Sequence, residues 1–491
     1  MKKPILAALA AVFMLCAVLV GVVLYRALTF GAPQPAVVAL ESLDFSIDTA
    51  AVRLGEAIRF RTVSLAGAEG DDPAQFEHFH QWMQSSYPAF HATARREAIG
   101  YSLLYTWEGA NPALAPIILL AHQDVVPVPG DTVASWSVDP FGGSLRDGAV
   151  WGRGALDDKG SLIALLEAAE YLAAQGRRPA RTILFAFGHD EEIGGESGAR
   201  RIAELLAARG VRAWFALDEG GGVIDRHPLT GAAVAMIGVS ERGFGAMRVR
   251  ATGPAGHSSL PPAETTVSTL ALAITRIHRM PLERSLEGGP AMDMMRALGS
   301  ELPLPARAAI ANEWLFGPLI QQQMASSPPG RALVGTSIAP TMLQAGVRAN
   351  VLPAEATAII NFRIHPRDNA DTVLARARAE VADLEGVTVE WSGEPRNADP
   401  ISSSSSSGYA LIAGLSRALS PEAPVAPMLV LGGTDSRHYR AVAEDVYRFA
   451  PVVAGLDEAR RAHGVDERLT VENLNRMIRF YIAIMQTGEH P

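Results

Sequence analysis

The sequence predicts an α/β protein: a mixed, mostly parallel sheet with helices on both faces, interrupted by a smaller α+β domain and preceded by a transmembrane helix. Three observations predict it. Four short apolar runs are continuous rather than alternating, as strands buried on both faces are. A stretch with helical spacing separates the first two, giving strand–helix–strand order. From about Gly243 to His365 the texture changes to alternating segments of the kind that half-exposed antiparallel strands show.

The N-terminal element comes first. Ile5 to Tyr25 is an uncharged run of 21 residues, preceded by Lys2 and Lys3 and followed by Arg26. A bilayer-spanning helix needs about 20 such residues, whereas the apolar part of a cleaved signal peptide is usually about 7–15. Residues 1–28 therefore read as an uncleaved signal anchor, with the lysines cytoplasmic and the rest of the chain extracytoplasmic, periplasmic or extracellular. Cleavage would instead leave a secreted protein. Residues 29–50, rich in Pro and small residues at their start, read as a linker.

The buried strands are expected at Pro116–Ala121, Thr182–Phe187, Trp214–Leu217 and Met428–Leu431, with a helix at Ser161–Leu172. Alternation in FGAMRVRATG and TAIINFRIH marks two strands of the second domain, with a helix at Thr266–His278 between them and an insert rich in Pro, Met and Ala from Leu282 to Gly330. A helix from Asp371 to Leu384 follows, with Asn369 as its N-cap. The domain order is then 51–242 (catalytic, first part), 243–366 (inserted) and 367–491 (catalytic, second part). Ser402–Ser407 read as a flexible loop.

Composition narrows the chemistry. A chain of 491 residues with 48% hydrophobic and 19% charged residues is neither disordered nor a single core. Its net charge of −9, spread along the chain, gives no basic face for nucleic acid. The one cysteine, Cys16, lies in the apolar N-terminal run, so disulfides, thiolate metal sites and a cysteine nucleophile are excluded from the rest. Any metal must be held by His, Asp and Glu.

Each apolar run ends in such residues: His122-Gln123-Asp124, His189-Asp190-Glu191-Glu192, Asp218-Glu219 and GGTDSRH ending at His438, while Asp157-Asp158 opens the Ser161 helix. Ligands of open α/β sheets bind beyond the carboxyl ends of the strands. Taken one at a time, these are ordinary residues: a histidine after a strand is commonly structural, and acids at a helix start are commonly caps. Together they are clustered carboxylates, which repel unless a cation neutralises them, and hard O and N donors suit Zn²⁺ or Mn²⁺. His78 and His80 lie on a polar stretch that reads as a helix surface. HExxH, GxSxG and P-loop motifs are absent.

The segments LLAHQDVVPV, WGRGALDDKG, AFGHDEEIGGESGA, ALDEGG and GGTDSRHY resemble the signatures of the dizinc exopeptidase and amidohydrolase family of carboxypeptidase S, glutamate carboxypeptidase and the aminoacylases. The resemblance is greatest to the carboxypeptidase S and secreted N-fatty-acyl amino acid hydrolase branch. It implies two Zn²⁺ per chain, with Mn²⁺ or Co²⁺ as substitutes. His122, Asp157 and Asp218 would hold one ion and Asp157, Glu192 and His438 the other, with Asp157 bridging. Asp124 would orient His122, and Glu191 would be the general base for attack by a zinc-bridging hydroxide. Three carboxylate ligands leave one positive charge, which that hydroxide would neutralise. His257, in AGHSSLPP, is implied as an oxyanion donor from a lid and dimerisation domain. In dimeric relatives it reaches the partner's site, which adds a homodimer to the expected partners. Arg363, in NFRIHP, is implied as the fork that binds a substrate carboxylate, with Asn350 in the same pocket.

The reaction these roles describe is hydrolysis of an amide bond beside a free α-carboxylate, in a short peptide or an N-acyl amino acid. N-fatty-acyl amino acid hydrolysis or synthesis as the main role, a noncatalytic membrane-anchored peptide binder and a phosphoesterase are the rival readings. The insert's Met292, Met294, Met295, Leu298, Trp314, Leu315 and Phe316 suit either an acyl pocket or helix packing.

Overall fold

A computed structural model describes residues 2–65 and 72–488; the side chains of Lys2 and Lys3 lie outside what it describes. The chain forms two compact units, one from Met1–Ala32 with Ser240–Ile401 and the other from Pro33–Val239 with Ser402–Pro491.

The second of these is built on a ten-stranded sheet. The expected runs are its strands Ile117–His122, Ile183–Gly188, Ala213–Asp218 and Val425–Val430. The first three have every residue buried, which is what a strand covered on both faces requires. Ile117–His122 lies parallel to both Ile183–Gly188 and Ala213–Asp218, so three carboxyl ends open on one side. Ala443–Arg448 continues the parallel set beside Ala213–Asp218, while Ser102–Trp107 and Arg95–Ile99 add an antiparallel edge. The helix Lys159–Ala174 covers one face with Leu162, Ile163, Leu165 and Leu166 fully buried, each worth roughly 1.5–3 kcal/mol of transfer free energy. Val471–Gln486 packs beside it, and Ala199–Ala208 covers the other face through Ile202 and Leu206.

The other unit is centred on a four-stranded sheet in which Gly243–Thr252 pairs antiparallel with Glu355–Ile364 and with Val387–Trp391. Both long strands alternate buried and exposed residues, as their sequences predicted. Thr266–His278 is a helix with the predicted bounds, started by a Thr265–Ser268 capping box. This unit is wider than 243–366, because the helix Ala370–Glu380 and the strand Val387–Trp391 share its core through Val373, Ala377 and Val389. Asn369 caps that helix as predicted, although the helix ends at Glu380 rather than Leu384.

Two loop expectations are corrected. Residues 29–50 are not a free linker: the Ala32 N–H donates to Arg296 O at 2.9 Å in one unit, and the Val38 N–H donates to Gly414 O at 3.2 Å in the other. Nor are the six serines a flexible loop. Ser402 is buried with its hydroxyl on Val446 O at 2.9 Å, and Ser406 caps the helix Ser407–Leu419. One hydroxyl reaches a distant backbone carbonyl and another caps the next helix, which fastens a segment that composition alone reads as loose.

Replacing Asn369 by Ala removes the half of the capping box in which the Asn369 side chain accepts the Thr372 N–H at 2.8 Å. It is expected to cost about 1 kcal/mol of stability, read as a lower urea midpoint at unchanged m-value.

Candidate metal centre

The strand ends of the sheet unit deliver the predicted acids and imidazole to one place. His122 is the last residue of its strand and is 1% exposed. Its Nδ1 is 2.9 Å from the Asp124 carbonyl oxygen and 3.3 Å from Asp124 Oδ1, so backbone and side chain together fix the ring. Asp124 is itself held from the next strand end, each oxygen accepting one N–H, from Glu191 at 3.2 Å and Glu192 at 3.1 Å. Burial works against the Asp124 anion, but His122 and these donors hold its carboxyl below the ordinary range.

Asp157 stands between two imidazoles. Its Oδ1 is 3.0 Å from His122 Nε2, and its Oδ2 is 3.0 Å from His463 Nε2. His463 Nε2 is also 3.0 Å from Glu192 Oε2, and His122 Nε2 is 3.5 Å from Glu219 Oε1. Each carboxylate oxygen of Asp157 thus faces a different donor group, the arrangement a bridging ligand needs.

Of the expected residues, the structure brings His122, Asp124, Asp157, Glu191 and Glu192 together. Two of the expected residues, Asp218 and His438, make other contacts in the structure. At the end of Ala213–Asp218 it is Glu219 that reaches His122, whereas the Asp218 carboxylate accepts the Ser436 N–H at 2.8 Å and the Glu219 N–H at 3.0 Å. Successive side chains at a strand end point to opposite sides, so only one of the DE pair can face the cluster. The imidazole beside Glu192 is His463, while His438 Nε2 lies 3.2 Å from Gly194 O. His463 has φ +62, a left-handed conformation, and follows the short helix Leu456–Ala459 in a loop without strand patterning. Spacing could not have found it, although AHGVDE does join a histidine to acids.

The cluster fits a metal site. Glu192 Oε1 is buried without a hydrogen-bond partner, and so are both oxygens of Asp435, a carboxylate that sequence reasoning passed over. Burial, with Asp157 next, pushes Glu219 up to about 8, and burial pushes Glu191 well above the carboxylate range against the pull of His122. Hydrogen bonds to Asp157 and then Glu192 raise His463 to about 10. Too much buried negative charge therefore draws protons onto both carboxylates and imidazoles, and divalent cations would supply the missing charge without them. Ligand atoms from His122, Asp157 and Glu192 all lie within 4.8 Å of one another, and donors of a tetrahedral zinc site stand about 3.3 Å apart.

Glu467 ties the two ligand-bearing loops together. Fully buried, its Oε1 accepts N–H groups from Gly154, Leu156 and Asp157 at 3.0, 2.9 and 3.1 Å. Its Oε2 accepts Arg153 Nη1 at 2.5 Å, and Arg153 Nη2 donates to the carbonyls of His463 and Gly464 at 3.0 and 3.1 Å.

The remaining candidates belong to the other unit. His257 is exposed, its strand paired with Val351–Leu352, and Nδ1 is 2.8 Å from Ser259 Oγ. Asn350 is its neighbour, accepting the Ser258 N–H at 3.2 Å. Arg363 is half-buried on Glu355–Ile364 and lies over the Phe244 ring at 5.0 Å. His78 and His80 make no pair: His78 is exposed, and His80 Nε2 is 2.7 Å from Gln123 Oε1.

Acids and imidazoles gathered beside the carboxyl ends of a covered, mostly parallel sheet are the site of a metal-dependent hydrolase. The chain belongs to peptidase family M20/M25/M40, which matches residues 118–487. It is 36% identical over 439 residues to the N-fatty-acyl-amino acid synthase/hydrolase PM20D1 of Xenopus tropicalis, covering 88% of this chain and 84% of that protein. It is 29% identical to carboxypeptidase S of Saccharomyces cerevisiae over 489 residues, covering 89% and 84%. The fold is shared with the M20 family metallo-carboxypeptidase Sso-CP2 from Sulfolobus solfataricus, at TM-score 0.64 and 19% identity over 89% of this chain and 98% of that one. It is shared also with human carnosine dipeptidase 1, at TM-score 0.61 and 15% identity over 90% and 96%.

Glu467→Gln keeps the shape but loses the charge that gathers three N–H groups and Arg153. It is expected to weaken metal retention by roughly 10–100-fold, read by competition with a chelator.

Proposed function

We propose that this enzyme hydrolyses the amide bond of N-acyl amino acids with a free α-carboxylate, accepting short peptides as well. The observation that carries the reading is Asp157 between His122 and His463, with Glu191 beside the cluster. In this scheme His122, Asp157 and Glu219 would hold one zinc ion, and Asp157, Glu192 and His463 a second. Bound there, they would make water acidic enough to ionise near neutral pH and would polarise the amide carbonyl.

Glu191 accepts a proton from the attacking water and returns it to the leaving nitrogen as the C–N bond breaks. Its protein-derived environment suits that shuttle, because burial and nearby carboxylates make it a stronger base than an exposed Glu. Asp124 keeps His122 oriented. His257 is the proposed donor to the carbonyl oxygen, and Arg363, with Asn350, the proposed site for the α-carboxylate, where a guanidinium fork matches two oxygens.

A cavity supports the acyl part of the reading. About 310 Å³ adjoins Asp157 and Glu219 and is walled by Val223, Ile224, Met236, Met428 and Met477, a size and lining that suit an apolar chain. The insert's Met294, Met295 and Leu298, by contrast, are buried in helix packing. The helix Lys2–Leu28 is proposed as a signal anchor that keeps the catalytic part extracytoplasmic; its residues Ile5–Gly21 are all exposed in the structure. A homodimer is proposed through the edge strand Ser337–Ala345, on which Met342 and Leu343 are 58% and 61% exposed.

Glu191→Gln is expected to lower kcat on an N-acyl amino acid by roughly 10²–10⁴-fold with metal content intact at two ions per chain. In the same assay with metal analysis, His463→Ala should lose an ion and His438→Ala should keep both; the reverse result would restore the original ligand set. Ala459→Trp, at the cavity wall, is expected to cut kcat/KM for long-chain acyl substrates at least about tenfold while leaving N-acetyl substrates little changed.

A further inference from the structure

The apolar N-terminal helix does not leave its unit as a free rod. Its last turns are gripped by the insert. Asn312, fully buried, donates Nδ2 to the Val23 carbonyl at 3.2 Å, and Ala27 is completely buried. Beyond the helix, Ala32 N–H donates to Arg296 O at 2.9 Å, and the backbones of Gly31 and Gly299 pass so closely that a Cβ on Gly299 would lie 2.6 Å from Gly31 Cα. The anchor end and the insert are therefore one fastened piece.

Length then sets the depth of that piece. The apolar segment Ile5–Leu28 has 24 residues, or about 36 Å of helix, against a hydrocarbon core of about 30 Å. Val23 is about 27 Å along it, near the far edge of the core. The joint between the helices Leu304–Ala311 and Glu313–Ala325, where Asn312 lies, is held at that level.

What these helices present there is apolar. Trp314, Leu315 and Leu319 are 59%, 39% and 60% exposed, and with the exposed Pro318 they share one face of the second helix; Gly317 and Ile320 are its buried side. Leu304 adds 44% exposure on the first helix. Tryptophan with leucine is the composition of a membrane–water boundary. Beside Trp314 lies a cavity of about 680 Å³ lined by Arg26, Arg296, Glu287 and Glu313, both signs of charge together, as a zwitterionic head group carries.

We propose that the helices Leu304–Ala311 and Glu313–Ala325 are a lipid-docking platform, lying in the interfacial zone of the bilayer that Lys2–Leu28 spans, with Trp314, Leu315 and Leu319 at the acyl boundary. The inference rests on the anchor reading and concerns a surface remote in sequence from the metal ligands.

The test uses the full-length chain reconstituted in phosphatidylcholine vesicles, with and without brominated acyl chains that quench tryptophan on contact. The N-terminal helix contains no tryptophan, and among the described residues Trp314 is the exposed one. Quenching by brominated lipid that disappears in Trp314→Phe is the expected result. Protein that floats with the vesicles but shows the same quenching with and without Trp314 overturns the platform and leaves the anchor standing. Protein that fails to float overturns both. Tryptophan emission that ignores bromination and instead follows protein concentration assigns the face to a second copy and also overturns the inference.

Discussion

Everything at the centre of this protein depends on concentrating negative charge where water is scarce. Asp124, Asp157, Glu191, Glu192, Glu219 and Asp435 converge on two imidazoles, and Asp124 and Asp435 are almost wholly buried. Such a group is costly unless positive charge is supplied. Protons raised onto His122 and His463 supply some of it; divalent cations would supply more, and at fixed positions. The fold is the means of holding these groups against their repulsion.

It does so by making each ligand the end of something rigid. His122 ends a fully buried strand between two parallel neighbours, and the two carboxylate oxygens of Asp124 take the N–H groups at the end of the adjacent strand connection. Asp157 and His463 come from loops instead, where strand geometry gives no support. Glu467 and Arg153 take over that task, binding the backbone before Asp157 and the backbone after His463 in one buried ion pair.

The smaller unit follows a different rule. Its sheet is covered on one face, so Gly243–Thr252 and Glu355–Ile364 alternate, and every second side chain is available for other work. Arg363 is one of these, stacked on Phe244 rather than committed to an ion pair in the core. The insert continues the unit toward the N-terminal helix, where small residues at Ala27, Gly31 and Gly299 let backbones approach.

The buried strands, the helix Thr266–His278 and the Asn369 cap were legible because they rest on local patterns of period two or 3.6 and on a single side-chain bond. His122 and Glu192 stand just after such patterns, and Asp157 just before the helix that shows one. The serine run was misread because composition says nothing about the buried carbonyl that Ser402 meets. In ALDEGG, composition announced an acid at the strand end, but the choice between Asp218 and Glu219 depends on which way the chain leaves the sheet. In the same way, the resemblance placed His438 of GGTDSRH beside Glu192, whereas the structure places His463 of AHGVDE there. Local sequence determined which acids and imidazoles stand at the strand ends. Which imidazole stands beside Asp157 and Glu192, and which carboxylate beside His122, was decided by long-range packing, because a loop 306 positions from Asp157 is brought to it by the Arg153–Glu467 pair and not by any pattern of its own.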